Sequence, residues 1–569
     1  MTLVCVPIFV EDIDAALAEA RAARDGGADL VEYRVDTFFT GGGMERAGGE
    51  GEEIGEGERQ IRDVERLVAE SPVSCVLTCR PVLEGGHFGG SDAARVALLE
   101  RVGAGARPAR YVDVELATYT RSANLKQKVN LAIDHPEQIR DLSTSLILSS
   151  HDFHSRPPDL IRRLERMYSE PACRVVKVAY FARSLRDNLE LLDIVSAGRA
   201  GESGGKPIIA LGMGPFGLMS RVLAPKFGGF LTFASLRRDA ATAPGQPVLS
   251  ELLDRYRFRS IGSATRVYGV VGWPVEHSLS PVMHNAGFEA VGHDGVYLPM
   301  PVPAEYEHFK ATVLSLVDHE HLDLSGLSVT MPHKEHLVRL AREEWEGGDG
   351  RWEIGVLAER CGAGNTLVIE RDGRGAATRL KVVNTDGPAI AEAVGAARRV
   401  LVLGAGGTAR AAATELLHRG KTVMLWARSA ERARGLAEEL GAATKLEAPA
   451  VVTLEEAAEL SVEGRGPEAL VNATPAGMAG GSGEGAMAIT GESLRNLSGL
   501  GVVVECVYNP VETPLVAMAR AAGVERVVDG LTTLVGQAAE QFRMWTGVEA
   551  PRQLFDRMAR EEQAARGRG

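Results

Sequence analysis

The stretch RVLVLGAGGTARAAATELL, Arg399 to Leu417, reads as an apolar strand, a glycine turn and an alanine-rich helix. That order is the opening of a βαβ unit that holds a dinucleotide. Gly404 permits the tight turn, Gly406 lets the backbone approach a pyrophosphate, and Ala409 takes the third small position. Ala405, Gly407 and Thr408 complete the turn, so the phosphates are expected on the first amides of the helix. A second strand, TVMLWA, begins about where such a unit would place it, and it ends without an acid. An NAD site wants Asp or Glu there for the ribose hydroxyls. This chain offers Arg428, Ser429 and Arg432, groups suited to a 2′-phosphate, so the cofactor read from the sequence is NADP. The competing reading of these arginines is a solvated helix start.

Working outward, 569 residues exceed what one hydrophobic core supports, so several domains are expected. The formal charge of -13, with no basic cluster, offers no footprint for nucleic acid or an anionic membrane, and no apolar stretch approaches spanning length. Anionic substrates must then be captured by local arginines. Six scattered cysteines, without metal-ligand spacing, read as buried free thiols in a reducing compartment, and a cytoplasmic location is expected. No metal site is expected: His154 follows His151 by three residues, but no third ligand is apparent.

The first half repeats a strand-then-helix rhythm. LVCVPI, DLVEYRV, SCVLTCR, RYVDVEL, SLILSSH, CRVVKVAY, PIIALGM and GFLTFAS alternate with helix-like segments, the rhythm of a (β/α)8 barrel. Such a barrel carries its chemistry at the C-terminal strand ends, and Glu32, Arg34, Arg80, Asp113, Glu115, His151 and Lys177 fall at or near them. Lys177, flanked by valines, is expected to be desolvated, which favours the neutral amine that attacks a ketone to form a Schiff base. His151, one strand earlier, can serve as base and then acid. Each residue alone has a structural alternative, an ion-pair partner or a core histidine. Residues 41 to 58, with eight Gly and six Glu, are expected to form a flexible acidic insertion.

Glu32-Tyr33-Arg34, Thr78-Cys79-Arg80 with Glu84 four residues on, Ser150-His151-Asp152, Lys177, Met213-Gly214, Ser220-Arg221 and Ala243-Pro244-Gly245-Gln246 occur in that order. Together they resemble type I 3-dehydroquinate dehydratase. The resemblance implies that Lys177 forms the imine with 3-dehydroquinate, that His151 is the general acid/base, and that Glu32 positions it. It further implies that Arg221 takes the substrate carboxylate, and that Arg34, Arg80 and Gln246 hold hydroxyls or shape the closed site. Thr242 stands where the family usually has serine and keeps the hydroxyl.

After Phe258 the pattern resets. VYGVVGWPVEHSLSPVMHN brings Ser278 and Ser280 to a helix start, where capping is the leading local reading. LSVTMPHKEHL supplies Thr330 and Lys334, with Pro332 suited to a helix start; AGNTL and VVNTDG supply Asn365 and Asp386. Lys334 and Asp386 are the pair able to move a proton at a hydroxyl while a hydride moves at its carbon. With GAGGTARA, NATPAGM, VYNPVETPL and QAAEQFRMWTG, these segments are similar to shikimate dehydrogenase. That similarity implies a Lys334–Asp386 dyad, substrate binding by Ser278, Ser280, Thr330, Asn365 and Gln537 with Tyr508 close by, and NADPH on the glycine turn and Arg428, Ser429 and Arg432.

The expected architecture is therefore α/β: a (β/α)8 barrel over 1–260, a substrate-binding domain over 261–390 completed by helices in 531–569, and a Rossmann NADP-binding domain over 391–530. The expected activity is dehydration of 3-dehydroquinate to 3-dehydroshikimate and NADPH-dependent reduction to shikimate. A quinate-preferring dehydrogenase and a non-catalytic regulator of quinate metabolism are the alternatives. The oligomeric state is open, a monomer included.

Overall fold

The computed structural model describes residues 1–39, 56–136, 142–199, 205–480 and 483–566. The chain divides into two compact units, Met1–Thr265 and Arg266–Gly569. The first contains eight parallel strands: β1 (Leu3–Phe9), β2 (Leu30–Arg34), β3 (Cys75–Thr78), β4 (Tyr111–Glu115), β5 (Ser145–Asp152), β6 (Cys173–Phe181), β7 (Ile208–Met213) and β8 (Leu231–Phe233). Their order runs β7-β6-β5-β4-β3-β2-β1-β8. Phe230 N donates to Ile208 O at 2.9 Å, joining the two ends of that order into a barrel. Helices alternate with the strands, as the apolar rhythm requires.

Strand alternation explains how the barrel interior can be greasy below and charged above. Cys5, Leu30, Val76, Ile147, Val175, Ile209 and Leu231 pack in one cluster. Two residues further along, the same faces present Glu32, Thr78, Ser149 and Lys177. The acidic segment expected over 41–58 lies outside the described residues through 55, and its last three residues open the helix Glu56–Ala69.

The second unit holds two six-stranded sheets. The first contains β9 (Arg266–Gly272), β10 (Gly295–Pro301), β11 (Leu324–Val329), β12 (Trp352–Ile354), β13 (Thr366–Arg371) and β14 (Ala377–Val383), ordered β10-β9-β11-β13-β14-β12, with β13 antiparallel to both neighbours. Aromatic residues cover it: Tyr268, Phe288 and Tyr297 pack with Leu531, Phe542, Trp545 and Phe555 from the last two helices. The other sheet contains β15 (Arg399–Leu403), β16 (Thr422–Trp426), β17 (Ala450–Val451), β18 (Ala469–Asn472), β19 (Val502–Glu505) and β20 (Arg526–Val528). All are parallel in the order β17-β16-β15-β18-β19-β20, the doubly wound arrangement whose crevice opens at the C-terminal end of β15.

Candidate active sites

In the barrel, Lys177 Nζ lies 2.8 Å from Asp113 Oδ2, 3.5 Å from Glu32 Oε1 and 4.7 Å from the Phe233 ring centroid. Lys177 is 5% exposed, and the groups around its amine are polar. Val176 and Val178 alternate to the opposite face, so the lysine meets carboxylates inside the barrel. Asp113 also accepts from Arg80 Nη1 at 3.0 Å and from Ser149 Oγ at 2.5 Å. Arg80 and Lys177 hold its carboxyl well below the usual range against the opposing effect of burial. Arg80 further donates to Glu115 at 2.9 Å and is 3% exposed, so its charge is spent within the protein.

Glu32 does not reach His151. It accepts from Thr78 Oγ1 at 2.7 Å on the Lys177 side of the site. The partner of His151 is Glu84: its Oε2 lies 3.2 Å from both Nδ1 and the backbone N of His151. Burial, reinforced by Arg80 and Lys177, pushes the imidazole well below its usual range, so His151 is neutral near pH 7. Burial also pushes the Glu84 carboxyl up to about 7, with Glu115 adding to the effect. Glu84 belongs to the TCR segment already noticed in the sequence; what no spacing revealed is that its turn, Val82–Glu84, folds back to β5.

Arg34 is expected on substrate hydroxyls, yet here it forms a two-pronged pair with Asp36 at 2.8 and 2.9 Å. Arg221 contrasts with it. This guanidinium is 2% exposed, its Nε has no partner among the described residues, and burial alone lowers its pKa to about 10. A buried cation left without an anion marks a place for one. Gln246 Oε1 accepts from Thr242 N at 3.1 Å, and Gly214 N donates to Pro244 O at 2.9 Å, so the APGQ loop is docked on the turn after β7. Gly245 has φ +75 and approaches Gly214 so closely that a Cβ would stand 2.1 Å from its carbonyl oxygen.

In the second unit, Lys334 Nζ donates to Asp386 Oδ2 at 2.6 Å and to Thr408 Oγ1 at 3.1 Å. Asn365 Nδ2 donates to Asp386 Oδ1 at 2.8 Å and lies 3.3 Å from Gln537 Oε1. Thus Lys334, Asp386, Asn365, Gln537 and Thr408 form one bonded cluster. Pro332 is not at the helix start; the helix begins at Lys334 behind His333. Thr330 N bonds Val271 O at 2.9 Å, and Thr330 Cγ2 sits where a Cβ on Gly272 would fall, which brings the GWP turn against it. Ser278 Oγ accepts from Ser280 N at 3.3 Å at the start of the helix Ser280–Val291, and Ser280 is buried. Tyr508, on the turn after β19, packs beside the aromatic cluster, and burial pushes its hydroxyl pKa upward. Behind the site, Tyr297, Ser328 and Gln541 form a hydrogen-bonded chain to Thr366 and the Asn365 carbonyl, a support that the sequence reading missed.

The dinucleotide turn has the backbone shape that a pyrophosphate requires. Gly404 has φ +119, and a Cβ there would stand 3.0 Å from Ala473 O. A Cβ on Gly406 would meet nothing within 4 Å, so the turn is open where a pyrophosphate must approach. Ala409 is fully buried in the core and Ala405 packs against it, while Gly407 and Thr408, which open the helix Gly407–His418, are only partly buried. Ser429 caps the next helix by accepting from Arg432 N at 3.3 Å, which leaves its O–H to donate. Arg428 and Arg432 are exposed, and no carboxylate among the described residues pairs with them. The residues fit a dinucleotide carrying a 2′-phosphate.

A barrel with a buried lysine beside a neutral histidine, joined to a dinucleotide fold with a Lys–Asp pair, defines a two-site enzyme, one site for elimination and one for hydride transfer. Residues 4–263 match the type I 3-dehydroquinase family; residues 270–367 match the shikimate dehydrogenase substrate binding domain, 390–461 the shikimate/quinate 5-dehydrogenase family, and 530–557 the shikimate 5′-dehydrogenase C-terminal domain. A chloroplastic bifunctional 3-dehydroquinate dehydratase/shikimate dehydrogenase of Arabidopsis thaliana is 30% identical across 97% of this chain and 83% of its own length. NADP(+) shikimate dehydrogenases of Methanocella arvoryzae and Gluconobacter oxydans are 36% and 39% identical, each over 52% of this chain and over 98% and 97% of their own. The chain belongs to the bifunctional 3-dehydroquinate dehydratase/shikimate dehydrogenase family.

Proposed function

We propose that Lys177 and His151 carry the dehydration and that Lys334 and Asp386 carry the reduction in this bifunctional shikimate-pathway enzyme. The Lys177 amine attacks the ketone carbon of 3-dehydroquinate and a water leaves, giving an imine. His151 takes the proton from the adjacent carbon while Glu84 holds its Nδ1–H, and the electron pair moves into the imine. The resulting enamine expels the β-hydroxyl, which leaves as water with the proton from His151. Hydrolysis of the imine frees Lys177 and 3-dehydroshikimate, so the net change is loss of one water. Arg221 anchors the carboxylate, Arg80 and Glu32 hold the polar layer around the lysine, and Thr242 and Gln246 belong to the loop covering the site.

In the second unit a bound NADPH would supply the hydride that reduces the ketone carbon. Lys334, oriented by Asp386, donates a proton to the ketone oxygen as it becomes a hydroxyl. Ser278, Ser280, Thr330, Asn365 and Gln537, with Tyr508, are assigned to the substrate. The glycine turn takes the pyrophosphate, and Arg428, Ser429 and Arg432 take the 2′-phosphate. We divide the chain functionally into 1–260, 261–390 with 531–569, and 391–530. Among the described residues no helix is long and apolar enough to cross a membrane. The six free thiols suit a reducing compartment, and we place the enzyme in the cytoplasm.

The observation carrying this reading is the pair of lysine sites, Lys177 at 2.8 Å from Asp113 and Lys334 at 2.6 Å from Asp386. The test is one reaction mixture of protein, 3-dehydroquinate and NADPH. NADPH oxidation is expected from 3-dehydroquinate in the wild type. With Lys177→Met it is expected only from supplied 3-dehydroshikimate. Loss of both activities in that variant would remove the assignment of separate sites.

A further inference from the structure

Lys334 touches the dinucleotide fold directly. Its ammonium has three N–H donors, of which one goes to Asp386 and one to Thr408 Oγ1, leaving the third for a substrate oxygen. A threonine hydroxyl has two lone pairs and one O–H; with a lone pair engaged by Lys334, no acceptor among the described residues takes the Thr408 O–H. Thr408 is the second residue of the helix Gly407–His418, at the end where backbone amides receive an anion. The lysine stem lies along the same turn: a Cβ on Gly407 would stand 3.4 Å from Lys334 Cβ and 3.5 Å from its Cδ. Asp386 is tied to that helix as well. It opens the helix Asp386–Val394, and its neighbour Gly387 approaches so closely that a Cβ there would stand 2.8 Å from Ala411 O.

The geometry points to Thr408 as a positioning residue that couples dinucleotide occupancy to the catalytic lysine, an inference that rests on the Lys334–Asp386 assignment. The Thr408 hydroxyl accepts from the ammonium and donates to a phosphate oxygen. A hydroxyl that donates to an anion is a stronger acceptor, so the ammonium is held more firmly with its third N–H aimed at the substrate. By linkage, substrate and dinucleotide then raise each other's affinity by one factor.

That factor is measurable without turnover, because shikimate and NADPH are both reduced and cannot react together. Calorimetric titration of the full chain with shikimate, alone and with saturating NADPH, is expected to show about tenfold tighter binding in the wild type. The reciprocal titration should return the same factor. Thr408→Ser keeps the hydroxyl and should keep the coupling; Thr408→Val and Thr408→Ala should reduce it below about twofold and lower kcat at saturating NADPH. Absence of coupling in the wild type overturns the inference. So does a Thr408→Val protein that binds NADPH more weakly but keeps the factor, since Thr408 would then be a phosphate contact alone. Where Thr408→Val does not fold, Thr408→Ala against Thr408→Ser gives the same comparison. Lys334→Met separates the two levels of argument: retained reduction there defeats the dyad assignment, whatever Thr408 does.

Discussion

Replacing Glu84 with glutamine should change both the pH profile of dehydration and the pH dependence of stability. Near pH 7 His151 is neutral, while Glu84, with its pKa pushed up to about 7, is half ionised. Ionised Glu84 accepts the Nδ1–H at 3.2 Å and leaves the lone pair on Nε2. Protonated Glu84 offers an O–H that competes for the Nδ1 lone pair, favouring the wrong tautomer. Dehydration should therefore rise with pH through about 7 in the wild type. Glu84→Gln removes this limb and lowers the plateau about tenfold, since a neutral hydrogen bond replaces a charge-assisted one at a loss of about 1.4 kcal/mol. The stability effect has the opposite sign. A carboxyl raised from 4.5 to about 7 in the fold leaves stability intact below its unfolded pKa and erodes it as pH rises through the folded value. The shift corresponds to about 3 kcal/mol. Glu84→Gln should thus match the wild type near pH 4 and exceed it by up to about 3 kcal/mol near pH 8. Enone formation from 3-dehydroquinate across pH, with thermal inactivation of the dehydratase at both ends, measures the two effects. An acidic limb that persists near pH 7 in Glu84→Gln would refute the role given to this pair.

Arg221→Met should raise the KM for 3-dehydroquinate at least 100-fold, since a charge-assisted carboxylate contact of about 3 kcal/mol is lost. It should leave the barrel's thermal inactivation temperature unchanged or higher, because an unpaired buried cation is removed. Arg428→Ala and Arg432→Ala should each raise the KM for NADPH about tenfold and leave that for NADH unchanged, a difference read from paired initial-rate series. His284, with neither ring nitrogen partnered among the described residues, stacks on Tyr297 at 4.5 Å, and burial lowers its pKa to about 3. As pH falls from 6.5, the unfolded chain gains a proton that the folded one refuses, so stability is lost, by up to about 5 kcal/mol near pH 3. His284→Phe should flatten that slope in acid unfolding followed by loss of reductase activity.

The local grammar of the chain was legible without coordinates. Strand, glycine turn and small third position around Gly404, Gly406 and Ala409 are contiguous constraints on backbone shape, and they appear in the fold at those residues. Eight apolar runs predicted eight barrel strands for the same reason: each run is one strand, and burial acts residue by residue. The motif residues at the ends of those strands were also visible, because a charged residue closing an apolar run stands out wherever it points.

Side-chain partnership was decided only by the tertiary structure. Glu84 is 67 residues from His151, and only the return of its turn to β5 makes it the partner, while Glu32 goes to Thr78. Lys177 meets Asp113 because strand alternation and barrel closure put both on the inner face, whereas its sequence neighbours are valines facing outward. Arg221 and Arg34 are alike in sequence, yet the first finds no carboxylate among the described residues and the other spends its charge on Asp36. Thr408 reaches Lys334 across 74 residues through the packing of two elements. Sequence patterns act over one strand or one turn of helix and so determine the elements and their order. Charges and hydrogen bonds act over a few ångströms in space, so which residues share a proton is settled only when the chain has closed on itself.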